Sequence, residues 1–253
     1  MISREEIETL ARLNRVRPYF QEKHYLMSLV LSSLYSQVSD ELVFKGGTYL
    51  WFFHKLPRAS EDLDFTAVAD IDMDRISETV VDDLAAYGIK VVLTDKTGKV
   101  SYTTRLAIEG PIYDGRNRNH IRLDVSMRGD LSRRPRFVAF RSPYSEVPDF
   151  TLLGMDMEEV LAEKIRAMLW RRRARDLFDV HHLIGLGVEM DTDLVRSKLA
   201  YYDLEPGGEL LGNAMADIED AWRPELSPLI RGGPPGPRTA IEEVEAFLGG
   251  VFG

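Results

Sequence analysis

Phe44-Lys45-Gly46-Gly47-Thr48, followed by Arg58-Ala59-Ser60-Glu61-Asp62-Leu63-Asp64-Phe65, carries the strongest signal in this chain. Leu63 and Phe65 alternate with Asp62 and Asp64, so on a strand both acids leave from one face. Two like charges side by side repel, and the pair is costly unless a cation stands between them. Mg²⁺ prefers carboxylate oxygens together with substrate phosphates, which makes a metal the simplest resolution. In the first part, an apolar run ends in Gly-Gly-Thr, and Tyr49-Leu50-Trp51-Phe52-Phe53 resumes at a spacing that suits a helix. This predicts a strand–turn–helix junction where glycines admit a phosphate, first-turn N–H groups are unpaired donors, and Thr48 caps or donates. Each half has an ordinary reading as well: Gly-Gly as a plain turn, Asp-x-Asp as a solvated strand face.

The two halves together resemble the nucleotidyltransferase superfamily that includes polymerase β. More narrowly, Lys45-Gly-Gly-Thr48 with Arg58-x-Ser60-x-Asp62-Leu-Asp64-Phe65 is similar to the AbiEii/AbiGii family, the nucleotidyltransferase toxins of type IV toxin–antitoxin systems. One feature departs from polymerase-like members: 13 residues separate Thr48 from Asp62. That long spacing resembles the AbiEii group itself.

Composition sets the outer bounds. A 44% hydrophobic fraction over 253 residues suits one large or two small globular domains. With no cysteine there is neither a disulfide framework nor a thiolate site, in keeping with a reducing cytoplasm. The charged start Met1-Ile2-Ser3-Arg4-Glu5-Glu6 and the lack of any apolar run near the ~18 residues of a span lead us to expect neither export nor membrane insertion. A net charge of −9 argues against general coating of DNA, so nucleic acid would be held by local basic patches.

Along the chain, Ser3-x-x-Glu6 predicts a capping box and a short amphipathic helix ended by Pro18, followed by a helix from Tyr19 to about Val38. Leu42-Val43-Phe44 reads as a first strand, and Ile71 to Tyr87 as a helix closed by Gly88. Ile89–Leu93, Tyr102–Ile108 and Ile121–Met127 read as strands, with a turn at Lys96-Thr97-Gly98. In the last of these, Ile121/Leu123/Val125 alternate with Arg122/Asp124/Ser126, which puts Asp124 on a polar face. Polymerase-β-like enzymes carry a third carboxylate on such a neighbouring strand; an exposed acid is the plain alternative.

Leu152-Leu153 suggests a final short strand. Asp156-x-x-Glu159 has capping-box spacing for a helix to about Trp170. Val160, Leu161, Ile165, Met168 and Leu169 form its apolar stripe, and Lys164 falls inside it. Either the lysine snorkels to solvent or it aims a charge into a phosphate site. Glu159-x-x-x-Glu163-Lys164-x-x-Ala167-Met168 with Arg172-x-x-Arg175-Asp176-Leu177-Phe178-Asp179 is similar to the second AbiEii signature, which favours Asp176 as functional. Arg172–Asp176 and Arg175–Asp179 are also spaced for i,i+4 ion pairs on a helix from about Ala174 to Ile184. Beyond residue 190, helices are expected over Asp191–Leu204, Leu211–Trp222 and from Thr239 onward. The chain divides into residues 1–150, an α/β nucleotidyltransferase part with N-terminal helices, and residues 151–253, a helical part contributing Lys164 and Asp176 to a cleft between them.

The resemblance thus implies an α+β fold: a polymerase-β-like mixed sheet flanked by helices, with a helical C-terminal part. It implies that Asp62 and Asp64 hold Mg²⁺, or Mn²⁺ in its place, and that Asp124 completes the metal shell or takes the proton of the attacking hydroxyl. The nucleoside triphosphate is expected on Lys45, Gly46, Gly47, Thr48, Arg58, Ser60 and Lys164. Related toxins add nucleotides to the 3′ end of tRNA, so RNA is the expected acceptor and an antitoxin the expected partner. Seven arginines between Arg116 and Arg136, and six Lys/Arg between Lys164 and Arg175, fit an RNA backbone in an otherwise acidic chain; solvated charge is the alternative. Two other classes stay open: transfer to a small molecule or protein hydroxyl, and a degenerate binding partner without catalysis. Asp62, Asp64, Asp124 and Lys164 standing together argue against the second.

Overall fold

The computed structural model describes residues 1–97 and 101–252. Of the turn expected at Lys96-Thr97-Gly98, Gly98 lies outside the described residues. The chain divides into two compact units: Met1–Lys55, Ala59–Leu131 and Pro135–Met155 form the first; Leu56–Arg58, Ser132–Arg134 and Asp156–Gly253 form the second.

The first unit is α+β. It contains α1 (Arg4–Leu13), α2 (Pro18–Gln37), β1 (Leu42–Lys45), α3 (Gly46–Phe53), β2 (Asp62–Ala67), α4 (Met73–Ala86), β3 (Lys90–Thr97), β4 (Ser101–Glu109), β5 (Asn119–Ser126), β6 (Arg136–Phe140) and β7 (Phe150–Gly154). The strands form one seven-stranded mixed sheet in the order β3-β4-β5-β2-β1-β7-β6. Ser3 caps α1 through the expected reciprocal box with Glu6. Pro18 does not end that helix, which stops at Leu13; it opens α2, where its fixed φ and missing N–H cost nothing. Gly88 follows α4 at φ +73, a left-handed C-terminal position.

β6 is absent from the expectations drawn from sequence. It is an edge strand with four of its five residues at least partly exposed, and Phe137 faces solvent, so no alternation marks it. The boundary placed at residue 150 falls at the first residue of β7, which lies between β1 and β6 and stays with the first unit. β1 pairs antiparallel with β2, matching Lys45 to Asp64, and β2 pairs parallel with β5, matching Asp62 to Arg122 and Asp64 to Asp124. Leu63, Phe65, Leu123 and Val125 are fully buried on the core side. Among the described residues, no helix is long and apolar enough to cross a membrane.

The second unit comprises α5 (Met157–Arg171), α6 (Ala174–Gly185), α7 (Thr192–Ala200), α8 (Gly208–Leu226) and α9 (Pro237–Phe252) with the two short segments named above. Asp156 caps α5, bonding Glu158 N–H, but Glu159 does not close a capping box. Its fully buried carboxylate instead accepts from the backbone N–H of Ser132 and Arg133 and from Lys198 Nζ at 2.7 Å. Tertiary donors outcompete the local one because they remove two unpaired backbone N–H groups from the interior.

In the first unit, His24 on α2 stacks on Phe52 of α3 at 4.1 Å and meets Trp51 edge-on at 5.1 Å, with Tyr144 Oη 2.8 Å from Nδ1. Burial pushes its imidazole down to about 4. Between that value and the ordinary 6.5 the unfolded chain takes a proton that the folded one refuses, so stability falls as pH drops through this window. The loss should reach about 2 kcal/mol, partial exposure of the residue reducing the full value. Unfolding free energies of the parent and of His24→Leu between pH 7 and pH 4.5 should differ in slope, the variant being flatter; equal slopes would refute the assignment.

Candidate active site

Asp62 and Asp64 leave β2 on the face away from the core, and Asp124 leaves β5 on the same face because the parallel register makes it the direct neighbour of Asp64. Gly46 opens α3 at φ +77, and a Cβ there would stand 2.3 Å from Asp64 Oδ2. The glycine turn is therefore fitted against the acid face, and glycine is required both for backbone conformation and for space. Gly47 is buried behind it. Lys45, the last residue of β1 and the N-cap of α3, stands opposite Asp64. Ser60 is half-buried just ahead of β2. Thr48 differs from expectation: it is fully buried, and its hydroxyl donates to the backbone carbonyl of Asp62, tying α3 to β2. Its side chain supports the turn.

Sequence reasoning missed Arg122. Its Nη2 lies 2.8 Å from Asp124 Oδ2 and 3.4 Å from Asp62 Oδ2, so the cation the acid face needs is supplied there by the chain. The alternation Arg122/Asp124 already placed it on the polar face, but which strand would lie alongside was not legible. Thr103 on β4 donates to Asp124 Oδ1 at 2.7 Å. Among the described residues, no three acids or imidazoles stand close enough to enclose a metal ion as placed. The chemistry of the donor set nevertheless fits a hard divalent cation: three carboxylates share one face of two adjacent strands, beside a turn with room for nothing larger than glycine.

Arg58, Lys164 and Asp176 belong to the second unit, where they meet Asp179. Asp176 and Asp179 are three apart on α6 and so share a side; α5 ends in a left-handed residue, Arg172 at φ 50, and α6 packs against it. Arg58 is 4% exposed, and its guanidinium grips Asp179 with two parallel bonds of 2.7 and 2.6 Å. Lys164 Nζ lies 2.7 Å from Asp179 Oδ2 and 3.3 Å from Asp176 Oδ1, and Arg171 adds 3.0 Å to the latter oxygen. Burial pushes the Asp179 carboxyl up, but Arg58 and Lys164 outweigh it and hold the group below the usual range. Asp176 Oδ2 is buried without a hydrogen-bond partner.

Three expectations change here. Lys164 neither snorkels nor waits bare for an anion; two buried aspartates receive it. Arg58 is paired to Asp179 through Nε and Nη2, so it props the cluster. The i,i+4 pairs are replaced by longer-range ones, because Arg172 bonds Asp217 at 2.7 Å and Asp179 takes Arg58 and Lys164. The arginine-rich windows are likewise partly tied to acids, through Arg118–Glu109, Arg133–Asp191 and Arg173–Glu225.

Deleting the ammonium leaves two buried carboxylates to share only Arg58 and Arg171, which outweighs any gain from removing a polar group. Lys164→Met should therefore lower unfolding free energy by about 3 kcal/mol in chemical denaturation. A parental midpoint for that variant would show the pairing to be energetically idle.

A family model described as "Nucleotidyl transferase AbiEii toxin, Type IV TA system" matches residues 30–249. No curated protein matches the chain significantly. Two similar solved structures share the fold at low identity. JHP933 from Helicobacter pylori superposes with a TM-score of 0.63 at 19% identity, covering 92% of this chain and 91% of its own. MenT4, a nucleotidyltransferase toxin from Mycobacterium tuberculosis, gives 0.62 at 20%, covering 98% and 88%. With a model match over nearly its whole length and this acid-bearing sheet, the chain belongs to the AbiEii family of type IV nucleotidyltransferase toxins.

Proposed function

We propose that this protein transfers a nucleoside monophosphate from a triphosphate to RNA, with the 3′ end of tRNA as acceptor, in a Mg²⁺-dependent reaction. The observation that carries the reading is the in-register placement of Asp62, Asp64 and Asp124 on one face beside Gly46. Those three residues would hold the metal, and Mg²⁺ or Mn²⁺, when bound, neutralises charge on the phosphates as pyrophosphate leaves. The acceptor hydroxyl oxygen bonds the α-phosphorus while the bond to the pyrophosphate oxygen breaks, and the hydroxyl proton is released to water. The chain's part is to position and to complement charge, so no covalent nucleophile is needed.

Asp124 serves better as ligand than as proton acceptor: Thr103 donates to its Oδ1 and orients the carboxylate, an arrangement that fixes metal-binding carboxylates. The turn at Gly46 and Gly47, with the N–H groups that open α3, receives phosphate oxygens, with Lys45 at its N-cap and Ser60 a further hydroxyl donor. Lys164 supplies positive charge to the triphosphate. The cluster around it supports this, because Arg58, Lys164 and Arg171 bring three positive charges to the two negative charges of Asp176 and Asp179. A cognate antitoxin follows from the type IV toxin reading.

The acceptor is tested by label transfer from α-phosphate-labelled nucleotides to tRNA, to protein and to aminoglycosides in parallel. Label should enter tRNA, stop with EDTA, and fall at least about a hundredfold in Asp64→Asn. Label in protein or small molecule alone would replace the RNA reading, and undiminished transfer by Asp64→Asn would remove the metal assignment.

Arg128, Arg134 and Arg136 are exposed and are proposed to contact the RNA backbone. Binding should weaken with salt, with a slope of about −0.7 per phosphate contact if the bound segment is single-stranded. Arg128→Glu, Arg134→Glu and Arg136→Glu together should flatten that slope. A slope unchanged by the triple substitution excludes these three arginines as phosphate contacts.

A further inference from the structure

We infer that Arg122 is a built-in counterion that keeps the acid face closed to free metal and yields it only when metal and triphosphate arrive together. The inference rests on the metal reading of Asp62, Asp64 and Asp124 given above. Arg122 is the strand neighbour of Asp62 and lies two residues from Asp124, so the parallel register forces its side chain onto the acid face. One nitrogen, Nη2, spans the carboxylates of both strands, at 2.8 Å from Asp124 and 3.4 Å from Asp62. These are the lone pairs a divalent cation needs. A guanidinium and a metal cannot both hold the same oxygen at short range without facing each other as like charges.

The side chains are accessible enough for exchange: Arg122 is 44% exposed, Asp62 31% and Asp124 27%. The outcome then depends on what the displaced guanidinium gains. Free metal leaves Arg122 facing a cation with its two carboxylates taken, so the acid face resists loading. A metal-bound triphosphate brings its own anions, and guanidinium forks match phosphate oxygens in geometry and charge. Arg122 therefore exchanges carboxylates for phosphates, and the two ligands favour each other's binding. Removing Arg122 should therefore strengthen binding of metal alone and weaken the mutual enhancement, which each ligand exerts equally on the other.

The test is equilibrium binding of Mn²⁺, read by the paramagnetic signal of the free ion, with and without an α,β-methylene nucleoside triphosphate that cannot be turned over. Arg122→Gln should bind Mn²⁺ alone at least about fivefold more tightly than the parent, and its enhancement by the triphosphate should shrink by a similar factor. Arg122→Lys keeps a charge in place and should retain part of the suppression, which also provides a reading if the glutamine variant is poorly folded. Melting in EDTA supplies a second measure: Arg122→Gln should melt below the parent, and Mn²⁺ should raise its melting temperature more than the parent's. Asp64→Asn separates the two levels of the argument. Mn²⁺ binding indifferent to Asp64→Asn overturns the metal reading, whereas binding lost in Asp64→Asn but parental in Arg122→Gln overturns the counterion role alone.

Discussion

The parallel pairing of β2 with β5 sets Asp64 beside Asp124, and it holds because the other face of both strands is buried. Leu63, Phe65, Leu123 and Val125 each gain roughly 1.5–3 kcal/mol from leaving water. A slip of one residue would expose all of them and bury the acids. Repulsion between partly exposed acids in a high effective dielectric is on the order of 1 kcal/mol per close pair. Hydrophobic burial therefore wins, and the charge problem it creates is answered locally by Arg122 and Thr103. Gly46 follows from the same register: β1 brings the turn directly against Asp64, where no side chain fits.

The cluster in the second unit shows the opposite balance. Asp176 and Asp179 are both fully buried, and carboxylates in such a place exact a desolvation penalty that ion pairing at best offsets. Apolar residues of similar size would serve stability as well. What the arrangement provides is a lysine whose ammonium is held at a fixed point by two carboxylates, one of them clamped in turn by Arg58. Glu225, bonding Ala174 N–H and Arg173, secures the start of α6 that carries both aspartates.

Much of this was legible because its causes are local. Period-two alternation placed Asp62, Asp64 and Asp124 on polar faces, a capping box announced α1, and Gly88 closed α4. Lys164 stood out because it breaks an apolar stripe, and the structure shows how that break is accommodated. β6 escaped notice because an edge strand with an exposed Phe137 needs no alternation, and Pro18 was misread because proline both stops and starts helices.

The sequence by itself determined the acids of the sheet and the turn at Gly46, which follow from spacings of a few residues, and the α+β class through the family resemblance that those motifs carry. Only the tertiary structure decided what those groups touch. Arg58 meets Asp179 across 121 positions of sequence, and Arg122 meets Asp62 across 60. Glu159 reaches the backbone of Ser132 and Arg133 in preference to its own helix. Long-range partners of charged side chains are chosen by which strands and helices pack side by side, and no local periodicity encodes that choice.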